Sequence, residues 1–333
     1  MKHESTFERG GRANAVVTAR RGLAAAALAL LACGGQAQGS ADASADARIC
    51  PPSGTPWVIA DHQSGPSWVA FDGYFLYWTD PSDVMTANLC GDPTVFAHEA
   101  GLTLAIDAKT AFWTRRVDPA HTELRAAPRA GGPAVTLAAS PEPDPLSNIA
   151  VDDTYAYYGS TAGVVCVPKA GGPTTVLEST TPVQYAVAVD DAYVYFGALQ
   201  GLMRVPKAGG APAMVAPATG PTILSIAFDA SSVYWTTTAP KNPPIKNDWV
   251  VAKVAKAGGS VTTLASDESP ISQLVADDLY VYWGSASGPL VRLQISNGTR
   301  SVVTTSPSGG VALYGSTIVW TDFAGGRVMG RAP

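Results

Sequence analysis

Seven times along this 333-residue chain a short apolar run closes on one residue, and a large aromatic follows six positions later. Six copies place Asp at the first position: Asp72/Trp78, Asp107/Trp113, Asp152/Tyr158, Asp190/Phe196, Asp229/Trp235 and Asp277/Trp283. The seventh has Tyr there, in Tyr314/Trp320. The steps between copies are 35, 45, 38, 39, 48 and 37 residues. A period near 40 marks an array of supersecondary units, none of which buries its apolar face alone. The third copy shows the unit. Asn148–Val151 is a short apolar strand, and Asp152-Asp153-Thr154 is a turn, because an Asp side chain accepts hydrogen bonds from nearby backbone N–H groups. Tyr155–Tyr158 is an aromatic strand, Val164–Val167 a third, and Thr174–Leu177 a fourth. Lys169-Ala170-Gly171-Gly172 turns between the last two, glycine supplying positive φ. No segment sustains a 3.6-residue apolar period. Four antiparallel strands repeated radially make a propeller blade, so the expected fold is all-β, a seven-bladed β-propeller over residues 50–333.

The last copy reaches only its third strand before Arg331-Ala332-Pro333. Val58-Ile59-Ala60-Asp61 stands before Asp72 at the distance that Thr263–Ser266 stands before Asp277. Residues 58–61 are therefore expected to supply the missing fourth strand and close the ring, removing the free edges of an open array. Cys50 lies just before that strand, and Cys90 falls at the outer turn of the first blade. A Cys50–Cys90 disulfide across the seam is expected in an oxidising compartment. Cys166, within Val164-Val165-Cys166-Val167, reads as a small buried hydrophobe.

The aromatic strands resemble the YWTD repeats of LDL-receptor-type propellers. Tyr77-Trp78-Thr79-Asp80 is a full match, while Val319-Trp320-Thr321-Asp322 and Tyr234-Trp235-Thr236-Thr237 are partial. The resemblance extends over residues 58–333 and is nearest to exported bacterial proteins with such repeats. It departs from the receptors in blade count, seven against their six.

Residues 1–33 read as an export signal: Arg9, Arg12, Arg20 and Arg21 precede an apolar run, Gly22 to Ala32, too short to span a bilayer. The run ends Leu30-Leu31-Ala32-Cys33, which resembles a lipobox and makes Cys33 the lipidated residue. Gly34 after it implies outer-membrane sorting. Residues 34–49, small and polar, read as a flexible tether. The expected address is thus the cell envelope, outer membrane or cell surface, with the lipid as the only membrane contact. Beyond residue 33 the chain carries 17 basic and 25 acidic side chains, a balance that argues against nucleic acid as partner. A monomer is expected.

The functional candidates follow from what varies between copies. The aromatics are expected to be core, and the Asp residues to serve turns rather than a calcium ring. Arg129, Lys169, Lys207 and Lys256, each before Ala-Gly-Gly, read as solvated hairpin tips. No HxH, HExxH or G-x-S-x-G motif is present, and neither a metal nor another cofactor is indicated. Loops on a rigid scaffold carry binding residues. The two longest segments after the aromatic are in copies two and five, which makes Arg115, Arg116, His121, Lys241, Lys246 and Trp249 the ligand-binding candidates. The expected role is a binding or scaffold module recognising an envelope protein or carbohydrate. The alternative is an exported lyase or hydrolase with its site at the channel mouth, marked by convergence of His121 with polar groups of another blade.

Overall fold

The computed structural model describes residues 54–119, 121–140, 148–181, 183, 185–220, 222–239, 248–267, 270–285 and 287–332. They form seven four-stranded antiparallel sheets. Blade one consists of Val69–Phe71, Phe75–Thr79, Val84–Asn88 and Thr94–Ala97. Blades two to six repeat this order, starting at Leu104, Ala150, Val187, Ile223 and Ile271. In blade seven, Val311–Tyr314, Thr317–Asp322 and Arg327–Arg331 are completed by Trp57–Ala60. Trp57 pairs with Gly330 and Val58 with Met329, antiparallel. The ring is closed by the N-terminal strand, as the spacing of the copies predicts.

The innermost strands of successive blades pack side by side around a central channel. The repeated aromatic lies on the second strand, whose two faces both meet other blades. Trp78, Trp113, Phe196, Trp235, Trp283 and Trp320 are all at most 1% exposed. The clusters they join cross blade boundaries: Tyr77 and Val84 of blade one pack with Leu104, Trp113 and Ala127 of blade two. Truncating such a ring to Ala leaves a cavity and costs about 3–5 kcal/mol.

The residue after the aromatic has its own task. Thr79 Oγ1 accepts the Trp68 N–H at 3.1 Å, and Thr114 Oγ1 accepts the Thr103 N–H at 3.2 Å. Thr321 Oγ1 accepts the Gly310 N–H at 2.7 Å and donates to the Ser67 carbonyl at 2.8 Å, tying blade seven to the segment that enters blade one. Gly163 is among the glycines required by close approach. Gly163, φ +110°, turns between the second and third strands of blade three, and a Cβ there would lie 1.8 Å from the Glu178 carbonyl oxygen.

The long segments of copies two and five are largely strand. In blade two, Thr110–Asp118 and His121–Pro128 form one extended hairpin, with Arg116 opposite Thr122 and Asp118 opposite His121. In blade five, Ser232–Ala239 and Asp248–Ala255 run in register out to Ala239 opposite Asp248. Much of what the sequence presents as extra loop therefore prolongs two ladders, whose backbone groups pair with one another.

Candidate functional site

The first turn of six blades is built on the repeated Asp. One carboxylate oxygen, Oδ1, accepts the N–H groups two and three residues on. For Asp152 these come from Thr154 and Tyr155, both at 2.8 Å. The same pair of bonds recurs at Asp72, Asp107, Asp190, Asp229 and Asp277.

The other oxygen faces the next blade. Asp72 Oδ2 meets Arg129, Asp107 Oδ2 meets Lys169 at 2.5 Å, Asp152 Oδ2 meets Lys207 at 2.6 Å, and Asp190 Oδ2 meets Lys256 at 3.4 Å. Three of these cations also donate to the backbone carbonyl of their own blade's Asp, as Lys169 does to Asp152 at 2.6 Å. Each is thus a rivet between two blades. The reading of these cations as solvated tips is corrected here: their side chains are only 9–25% exposed. The circular arrangement is the cause, since it carries the outer turn of one blade over the inner turn of the blade before. Burial disfavours ionisation of Asp152, but Lys207, the Tyr155 and Thr154 N–H groups and the Tyr157 hydroxyl outweigh it and hold the pKa at about 2. The same balance, burial opposed by turn N–H groups and the neighbouring cation, lowers Asp72, Asp107 and Asp190.

On this face the channel opens into a cavity of about 1030 Å³. Its wall carries Asp152, Asp153, Asp190, Asp191, Asp229, Asp277 and Asp278, against Lys207 and Lys256, with Phe228 and Tyr155 among the apolar lining. Behind it, a narrower space of about 400 Å³ runs between the inner strands. Among the described residues no group of three or more His, Cys, Asp or Glu is disposed to hold a metal ion.

The residues singled out in the sequence are elsewhere. Arg115 is held by Glu123 through Nε at 3.0 Å and lies 3.4 Å from Glu99. Glu99 in turn takes two bonds from Arg125 and one from Trp113 Nε1. Arg116 is exposed on the same hairpin. The exposed His121 Nδ1 contacts Asp118, 2.8 Å away on that hairpin. Trp249 is half-buried and packs on the core formed by Tyr234, Ile271 and Trp283. Lys241, Lys246, Cys33 and Cys50 lie outside the described residues. Cys90 is at an exposed turn, its N–H bonded to Asn88 Oδ1 at 2.8 Å, while Cys166 is a buried free thiol. The sequence reading passed over the mouth residues because each Asp was already explained by its turn. The available signal was the doubled acid of Asp152-Asp153, Asp190-Asp191 and Asp277-Asp278, which a turn does not require.

No protein-family model matches the sequence, and no curated protein matches it. Solved structures do resemble it. The Neurospora crassa Pan2 WD40 domain is similar with a TM-score of 0.63 at 11% identity, over 85% of this chain and 97% of that one. A computationally designed protein, Ika8, is similar with a TM-score of 0.54 at 13% identity, over 83% and 99% of the two chains. A chain of a nidogen/laminin complex is similar with a TM-score of 0.53 at 13% identity, over 72% and 97%. At such identities the likeness is one of fold.

Proposed function

We propose that this protein is an envelope-anchored binding module that receives its partner at the acidic mouth of the propeller channel. The observation that carries the reading is the cavity of about 1030 Å³ in a rim where seven carboxylates face two ammonium groups. A closed ring of seven blades is a stiff frame, and a concave site on a stiff frame loses little order on binding. The address rests on the sequence: the basic and apolar leader, the lipobox-like Leu30–Cys33, and the small polar tether after it. The YWTD-type repeats support kinship with exported propellers. A Cys50–Cys90 disulfide belongs to the same reading, and the disulfide-bonded state of Cys90 supports it.

The carboxylate-rich mouth favours binding over the lyase or hydrolase alternative, because His121, the residue on which that alternative turned, contacts an Asp of its own hairpin. The test is site-specific photocrosslinking in intact cells. A benzophenone side chain at Ala230, on the mouth, is expected to give a discrete adduct. The same group at Val176, on the outer strand of blade three and 46% exposed, is expected to give none. Equal labelling from both positions, or none from either, would overturn the assignment of the mouth.

A further inference from the structure

The ring of rivets is incomplete. The cation of each rivet occupies a fixed backbone position, whose N–H donates to the carbonyl two residues after the repeated Asp of its own blade. Arg129 donates to Lys109, Lys169 to Thr154, Lys207 to Ala192 and Lys256 to Ser231. In blade six the same bond is made by Ile295, which donates to Leu279. Ile295 is partly buried against the core of blades five and six and offers no charge. The position equivalent to the cations that pair with Asp72, Asp107, Asp152 and Asp190 is therefore apolar in the blade that follows Asp229. Its Oδ2 accepts only the Tyr234 hydroxyl, at 2.7 Å, among the described residues. The next acid, Asp277, has turn bonds at Oδ1 but no ion pair among the described residues, and Asp278 beside it is exposed. All three line the cavity.

Across the seam the rim turns aromatic, and the carboxylate of blade one, Asp72, is already paired with Arg129. In blade seven Tyr314 replaces the repeated Asp and is 59% exposed; in blade one Tyr74 is 63% exposed. Tyr314 lies over Gly73 and packs edge-on to Phe71, with ring centroids 6.2 Å apart. Aromatic faces attract cations through their quadrupole. Opposite Asp229 the riveting position of blade six thus supplies no cation, while this part of the rim presents two kinds of group that favour one.

From this, and resting on the binding reading above, we infer that a Lys- or Arg-bearing segment of a partner protein docks on the arc from Asp229 to Tyr74 and supplies in trans the cation that Ile295 does not. Four copies within this chain already hold an ammonium or guanidinium on the equivalent carboxylate, so the geometry for that contact exists. Charge complementarity decides the class of partner: an acidic segment would meet the seven carboxylates of the mouth, while a basic one is drawn in by them.

The substitution Ile295→Lys fills the position in cis. Binding of a fluorescein-labelled Gly-Arg-Gly-Arg-Gly-Arg peptide to detergent-solubilised full-length protein is measured by anisotropy at low and at 0.3 M salt. Wild type is expected to bind the peptide and not its Glu counterpart, with affinity falling as salt rises. Ile295→Lys is expected to weaken binding at least about fivefold, on the order of 1 kcal/mol, while Ile295→Met leaves it unchanged. Asp277→Asn/Asp278→Asn gives an independent reading and is expected to weaken binding similarly, should the Lys variant fail to fold. Equal affinity of wild type, Ile295→Lys and the double Asn variant would overturn the inference. So would spermidine displacing the peptide at equal concentration, since free amine charge would then suffice. Photocrosslinking at Ala230 without peptide discrimination would leave the mouth in place and discard the cationic partner.

Discussion

Replacing Asp152 by Asn separates the two tasks of its carboxylate. Asn keeps an oxygen for the Thr154 and Tyr155 N–H groups but removes the charge that meets Lys207 at 2.6 Å. The drop in pKa from the ordinary 3.8 to about 2 corresponds to about 2.5 kcal/mol favouring the ionised form in the folded state. The site is partly solvated, so screening leaves about 1–1.5 kcal/mol. At pH 7 Asp152→Asn is therefore expected to lower the melting temperature by about 2–6 °C for a domain of this size. Because the folded-state pKa is depressed, this stabilisation is fully present above the unfolded value near 4. It is lost as pH falls through the window from about 4 to about 2. Asn does not titrate, so the gap between wild type and variant is expected to close across that window. The sister substitution Asp229→Asn, which faces no rivet cation, is expected to cost less than about 0.5 kcal/mol. Thermal melts followed by near-ultraviolet circular dichroism from pH 2 to 7 decide the matter. A gap that stays constant down to pH 2, or equal losses for Asp152→Asn and Asp229→Asn, would refute the division of labour between the two oxygens.

Two further outcomes follow from the frame. Thr321→Val removes the bonds to Gly310 N–H and to the Ser67 carbonyl and is expected to destabilise by about 2–3 kcal/mol, with Thr321→Ser recovering most of the loss in chemical denaturation. Gly163→Ala meets the Glu178 carbonyl at 1.8 Å and a positive φ; it is expected to cost more than about 3 kcal/mol, read as loss of soluble protein, while Gly171→Ala, where no atom lies within 4 Å of the new Cβ, is expected to cost about 1 kcal/mol through φ alone.

The blade count and the closure were legible because both rest on spacing. The aromatic recurs at one strand position, and burial between blades demands a large side chain there. The orphan strand at residues 57–60 is visible because the seventh copy lacks its fourth. The rivets were not legible as contacts. Asp72 and Arg129 are 57 positions apart, Asp107 and Lys169 62, and nothing local distinguishes a Lys that reaches back to the preceding blade from one that points to water. The extensions around Arg115 and Trp249 misled in another way. Extra length between two strands reads as loop, whereas register pairs such as Thr238 with Trp249 continue the ladder and absorb the polar backbone that a loop would present.

An imperfect repeat is informative where its copies share a backbone and differ in charge. The bond from the riveting position to the carbonyl two residues after Asp is kept in blades two to six, so all five turns present that side chain at the same place in their blades. Four carry Arg or Lys, and the fifth carries Ile295. The turn at Asp229 needs one oxygen, and Asn would serve it; the second oxygen accepts the Tyr234 hydroxyl, which would have to reverse and accept from an amide N–H. The mouth gathers Asp229, Asp277 and Asp278, none of which is in an ion pair among the described residues. A cation from outside would complete at Asp229 the pairing that the four rivets show, which makes the defect in the repeat, rather than the repeat itself, the proposed place of docking.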